Sequence, residues 1–145
     1  MHSPTRPELY PLGLVISGTV VHGEKRGRAM GFPTANIELV LGNPFPAEGV
    51  YCGLVRLSRR EILYGATVSV GTNPTFPDIA SLRVEAHIHD LDEQLYGLSA
   101  ELHLLHRLRD MQRFASVEEL IAQMERDVLQ SRQLLAATLE RAASG

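Results

Sequence analysis

Three glycines, Gly23, Gly27 and Gly31, alternate with Lys25, Arg26 and Arg28 in one short stretch. Glycine admits positive φ and lets a backbone approach a ligand closely. Backbone N–H groups and cations converging on one point suit an anion with several oxygens. Immediately after comes Pro33-Thr34-Ala35-Asn36. Proline fixes its own φ and biases Phe32 toward an extended conformation. Thr34 and Asn36, two residues apart, then face the same way. A hydroxyl and an amide oxygen beside a phosphate loop are where a Mg2+ ion bridging phosphates could sit. The same glycines and cations also fit an ordinary surface loop. Neither the Gly-x-x-x-x-Gly-Lys-Ser/Thr loop nor the Gly-x-Gly-x-x-Gly fingerprint is present, so a phosphate site here must belong to a less common scaffold.

A second candidate is Glu85. In Leu82–His89 the residues Leu82, Val84, Ala86 and Ile88 alternate with Arg83, Glu85, His87 and His89, the period of a half-buried strand. A carboxylate in mid-strand is costly unless something solvates or uses it. Pattern alone fits a solvated outer face as well as a catalytic acid. His87 and His89 share a face, as two metal ligands on a strand would, whereas the odd spacing of His103 and His106 puts them on opposite faces. No Cys–His or Glu-x-x-His arrangement supports zinc. Cys52 reads as a small buried apolar residue, and no serine-hydrolase elbow is present.

The elements that must position these groups are mostly strands. Residues 1–12 read as an irregular, proline-bearing leader and 13–142 as one domain. Strand patterns cover Gly13–Val20, a short run at Ala35–Leu39, Val50–Leu57, Ile62–Val70, Leu82–His89 and Leu98–His106. Ser58–Glu61 reads as a hairpin loop, and Gly71–Asp78, with two prolines, as a punctuated loop. The period then changes. Ser116 and Glu119 form a capping box. Val117, Leu120, Ile121, Met124, Val128, Leu135 and Leu139 mark the apolar face of a helix of about 20–25 residues, its last residues fraying. Six strands and one terminal helix predict a mainly β fold: an antiparallel sheet closed into a small barrel with the helix packed outside.

Composition narrows the function classes. The chain has 145 residues, a net charge of −3 and a single cysteine. That suits one core, a reducing cytoplasmic setting and no general nucleic-acid affinity. No apolar run reaches the roughly 20 residues that span a bilayer, and the first residues lack the core of a secretory signal. A monomer is expected.

Several ordered blocks resemble riboflavin kinase (flavokinase), found alone or as the C-terminal domain of bacterial bifunctional FAD synthetase. They are Gly23-x-x-Arg26-Gly-Arg-x-x-Gly-Phe-Pro-Thr-Ala-Asn-Ile37, Gly49-Val-Tyr51-x-Gly53, Ser69–Phe76, Val84–Ile88, Leu95-Tyr-Gly97, Leu108-Arg109 and Phe114. The resemblance implies a six-stranded Greek-key barrel and ATP-dependent phosphorylation of riboflavin to FMN, with ADP as the other product. It implies Glu85 as the catalytic carboxylate, and Thr34 and Asn36 on Mg2+ or another hard divalent ion such as Zn2+ or Mn2+. Gly23, Gly27 and Arg28 would lie over the ATP phosphates, with Thr34, His87 and Tyr96 close to the nucleotide. Arg109, Gln112 and Phe114 would close on the flavin. Two positions depart from the family pattern. Met111 stands where a glutamate is usual, which bears on how Arg109 is held, and Gln94 stands where an acid is usual before Leu-Tyr-Gly. With no adenylyltransferase domain in the chain, FAD formation is not expected, and the opening Met with its leader favours a single-domain enzyme. Two rival readings remain: a catalytically silent flavin- or nucleotide-binding regulatory module, and an RNA-associated regulator using the basic loop.

Overall fold

The computed structural model describes residues 13–21, 32–40, 46–72 and 82–144. The chain folds as β1 (Leu14–Val21), β2 (Ala35–Leu39), β3 (Gly49–Leu57), β4 (Leu63–Thr72), β5 (Leu82–Ile88), β6 (Ser99–Arg109) and α1 (Val117–Ser144). Every strand pair is antiparallel, and the sheet closes in the order β1-β2-β5-β4-β3-β6. Successive β3, β4 and β5 pair in turn and β6 returns beside β3, which is Greek-key connectivity. Closure leaves no unpaired sheet edge. The barrel and its terminal helix are as the sequence predicts.

Alternation decides what faces inward. Ile16, Val20, Val55, Val68, Val84 and Leu102, each at most 2% exposed, pack with their neighbours into one core. A six-stranded barrel is narrower than the eight-stranded ones whose interior side chains just fill, so its inside is packing and nothing else. Polar side chains at the intervening positions must point outward.

Two glycines of the Gly49–Gly53 block have steric reasons to be there. Gly49 has φ 154°, and a Cβ on it would press against the Arg107 guanidinium and the Arg109 carbonyl. A Cβ on Gly53 would stand 2.4 Å from the His103 carbonyl oxygen. Between them Tyr51 donates its hydroxyl to the Ala47 carbonyl.

The helix packs outside the barrel on β3, β4 and β6. A second apolar cluster, Cys52, Leu105 and Leu135 with Leu54, Leu108 and Leu134 around them, fills that contact. Burying one such leucine contributes about 1.5–3 kcal/mol. Burial pushes the Cys52 thiol up to about 11, so it packs as an apolar group. Half of the capping box forms as predicted, with Glu119 N–H donating to Ser116 Oγ at 3.1 Å, while Glu119 Oε2 accepts instead from the N–H of Ala115, one residue before the cap, at 3.1 Å.

The structure differs from the expectations in three places. The helix runs 28 residues, to Ser144, because its alanine-rich last turns contain no helix breaker. Val117 is 57% exposed, since the first turn stands clear of the barrel. In β6 a bulge opposite Cys52 and Gly53 skips Leu105. Leu104 therefore enters the barrel core and Leu105 the helix contact, and the alternation that placed His103 and His106 on opposite faces does not continue past Leu104.

Candidate active site

The outward positions of β2, β4 and β5 bring the predicted polar residues together. Glu85 is the register partner of Asn36 on one side and of Ser69 on the other. Opposed residues of antiparallel strands lie about 4.5–5.5 Å apart at Cα and project from the same face. His87 follows on that face beside Thr67. The loop of Phe32 and Pro33 enters β2 here, and His87 fastens it: Nδ1 lies 2.8 Å from the Pro33 carbonyl oxygen. A carbonyl only accepts, so Nδ1 carries the proton. The Phe32 ring stands edge-on to His87, 5.6 Å between centroids. The backbone that carries Thr34 is thereby held against β5.

A cleft of about 320 Å³ opens between this face and the helix, at the small end of the range for small-molecule sites. Thr34, Ser69, Glu85 and His87 line its sheet side, and Leu120, Met124, Asp127 and Val128 its helix side. Arg109, Met111, Gln112 and Phe114 close one end. A smaller hollow of about 50 Å³ lies next to it, lined by Pro33, Thr34, Ala35, Asp92, Gln94 and Tyr96 among others. Thr34 borders both. Thr34, Glu85, His87, Arg109, Gln112 and Phe114 therefore share one cleft, Asn36 abuts it through its pairing with Glu85, and Tyr96 sits in the adjoining hollow. Gly23, Gly27 and Arg28, and the end of the Ser69–Phe76 block, lie outside the described residues.

The helix supplies what the sequence reading missed. Arg109 makes a forked ion pair with Asp127, Nε to Oδ1 at 2.9 Å and Nη2 to Oδ2 at 2.7 Å. Its Nη1 donates to the Asp110 carbonyl at 3.0 Å, and the guanidinium lies 5.9 Å from the Phe114 ring centre. The Met111 departure therefore leaves Arg109 firmly held, from α1; Met111 itself accepts from Ser69 Oγ at 3.7 Å. The available signal was a charged residue within the helix's apolar face, three positions after Met124 and one before Val128. Beneath the cleft, His89, 4% exposed, meets Thr67 Oγ1 through Nε2 at 2.8 Å, and Thr67 donates to Ser131 on α1 at 2.9 Å. Burial lowers His89 to about 4, with Arg132 adding to the effect.

Thr34 and Asn36 offer hard oxygen donors of the kind Mg2+ takes. Among the described residues no group of three or more His, Cys, Asp and Glu side chains is arranged around a metal position. Two neutral protein oxygens alone would leave most of a Mg2+ sphere to phosphates and water, and no carboxylate is supplied by Thr34 or Asn36.

A closed barrel with an outer cleft, edged by Thr34 and Glu85 and walled by an apolar helix face, defines a barrel domain with a cleft of small-molecule size. The flavokinase (riboflavin kinase) family model matches residues 11–135. A bifunctional riboflavin kinase/FMN adenylyltransferase of Listeria monocytogenes is 40% identical over 119 residues, 82% of this chain and 37% of that protein. The chain thus spans a little over a third of the length of that relative. A solved structure described as a macrolide-efflux protein from Streptococcus pneumoniae is 37% identical at TM-score 0.74, over 87% of this chain and 40% of that one. The riboflavin kinase of Trypanosoma brucei superposes at TM-score 0.64 with 26% identity, over 85% of this chain and 80% of that one. The chain belongs to the riboflavin kinase family.

Proposed function

We propose that this domain transfers the γ-phosphoryl group of ATP to the ribityl 5′-hydroxyl of riboflavin, giving FMN and ADP. The observation that carries this reading is the placement of Glu85 directly across from Asn36 and in one cleft with Thr34. The new bond joins the 5′-oxygen to Pγ as the bond from Pγ to the β,γ-bridging oxygen breaks, and the hydroxyl proton passes to Glu85. Phosphoryl transfer calls mainly for alignment and charge neutralisation. Glu85 orients the hydroxyl and accepts its proton late.

Thr34 and Asn36 would hold a divalent ion, Mg2+ by donor type. When bound, that ion supplies neutralisation of the β- and γ-phosphate charge. Thr34 belongs to both hollows, which favours the flavin in the larger and nucleotide groups in the smaller, beside Tyr96, with transfer where they meet. The apolar residues Leu120, Met124 and Val128 offer a wall for the flavin ring, and Phe114 with Arg109 its end stop. Gly23, Gly27 and Arg28 are assigned to the ATP phosphates by the family resemblance.

Incubation with riboflavin, ATP and MgCl2, with FMN resolved by chromatography, tests the proposal. FMN formation that is lost in Glu85→Gln is the expected result. Flavin binding without FMN would replace it with the silent regulatory module.

A further inference from the structure

We propose that Asp127 is a positioning residue for the flavin end of the cleft, acting through Arg109. This inference rests on the riboflavin kinase reading and adds the helix to the substrate site.

Asp127 is 4% exposed, where an unpaired carboxylate would be strongly disfavoured. It is satisfied from two sides. Arg109 binds it with Nε and Nη2, and Gln123 Nε2 donates to its Oδ1 at 2.9 Å. Gln123 is in turn held by Arg126, whose Nη2 donates to Oε1 at 2.7 Å. A carboxylate fixed on a packed helix thus fixes the plane of a guanidinium that belongs to β6. Arginine presents five N–H donors. Nη1 and Nη2 each spend one on Asp110 and Asp127 and keep one without a bond to another described residue. Both Arg109 and Phe114, which the guanidinium faces, line the cleft. A forked ion pair sets orientation as well as distance. Without it Arg109 would keep its charge and lose its aim, which weakens recognition of a neutral ring while leaving the phosphate chemistry at the far side intact.

The test is steady-state kinetics of Asp127→Asn, Asp127→Glu and Arg109→Lys, singly and with Asp127→Asn and Arg109→Lys combined. Asp127→Asn is expected to raise KM for riboflavin about tenfold or more, with KM for ATP and kcat changed less than about threefold. Arg109→Lys should do the same, the double variant should be no worse than about twofold beyond either single, and Asp127→Glu should recover part of the loss. A purely structural Asp127 would lower the melting temperature and leave the riboflavin-to-ATP KM ratio alone, which overturns the proposal; so do two effects that multiply. If Asp127→Asn does not fold, Gln123→Met decides: a rise of about twofold or more in riboflavin KM supports the proposal and an unchanged KM overturns it. Absence of FMN from the wild-type chain overturns the kinase reading and this inference together. Normal FMN formation with an unaltered Asp127→Asn overturns only the inference.

Discussion

Lowering the pH from 7.5 to 5 is expected to loosen the helix wall of the cleft through one residue, His89. Its ring is held near 4, against an ordinary value of 6.5, first by burial and then by the positive charge of Arg132; His87 adds to the depression and Asp90 opposes it. Arg132 is itself forked onto Asp90 at 3.0 Å by both terminal nitrogens. Nε2 serves Thr67, which donates onward to Ser131, so Nε2 is the protonated nitrogen and Nδ1 is where a second proton would go. Nδ1 faces the Gly65 backbone and the Leu135 methyl group. A proton on Nδ1 would therefore enter apolar surroundings beside a guanidinium, with the Asp90 carboxylate only partly offsetting it.

The folded-state pKa lies below the unfolded one, so the unfolded chain binds more protons between pH 6.5 and 4. The stabilisation is whole above the unfolded value and is lost as pH falls through this window. The full shift corresponds to about 3 kcal/mol at 1.36 kcal/mol per unit, and about 2 kcal/mol of it is lost by pH 5. That is a sizeable part of the 5–15 kcal/mol typical of domains. Urea unfolding of the wild type and His89→Gln at pH 7.5 and pH 5 measures it. The wild type should lose about 2 kcal/mol more than the variant across that interval. Parallel losses, or a His89 ring titrating at or above 6.5 by NMR, would refute the reasoning.

The site yields three further predictions. Glu85→Gln should lower kcat by about 10²–10⁴-fold while the melting temperature stays close to wild type; wild-type turnover would remove Glu85 from the mechanism. Thr34→Ala should raise the Mg2+ and ATP concentrations needed for half-maximal rate more than it weakens riboflavin binding measured by fluorescence quenching; an unaltered Mg2+ titration contradicts the metal assignment. His87→Gln should release the Pro33 carbonyl and raise KM for ATP up to about tenfold, the worth of one hydrogen bond. An equal rise for riboflavin would place His87 on the flavin side.

Where the sequence was legible, a local period carried the message. Val84, Glu85, Ala86 and His87 announce their faces by strict alternation, and closing the barrel follows from six such strands without intervening helices. The register shifts in β6 at Leu105 and Leu108 were not legible, because an extra residue leaves no compositional trace and yet turns the side chains that follow it. The Arg109–Asp127 pair was not legible either. It joins a strand end to a helix face across 18 residues, and charge complementarity over such a gap is common by chance.

The deeper ambiguity concerned outward carboxylates, and the helix distinguishes their surroundings. Glu38, Glu85 and Glu101 all sit on outer faces of the same barrel, and strand pattern cannot rank them. Glu38 is exposed to solvent and Glu101 is bonded to His103 at 2.7 Å. Glu85 alone of the three lines a cleft with α1 as its second wall. An acid can orient a substrate hydroxyl only where a second surface confines that substrate and sheds its water. With the barrel interior filled by valine, leucine and isoleucine, such a surface had to come from outside the sheet. The placement of the terminal helix on β3, β4 and β6 therefore gives Glu85 the confined setting that our proposal requires, and the same placement brings Asp127 to Arg109 and Ser131 to Thr67, both of which line that cleft.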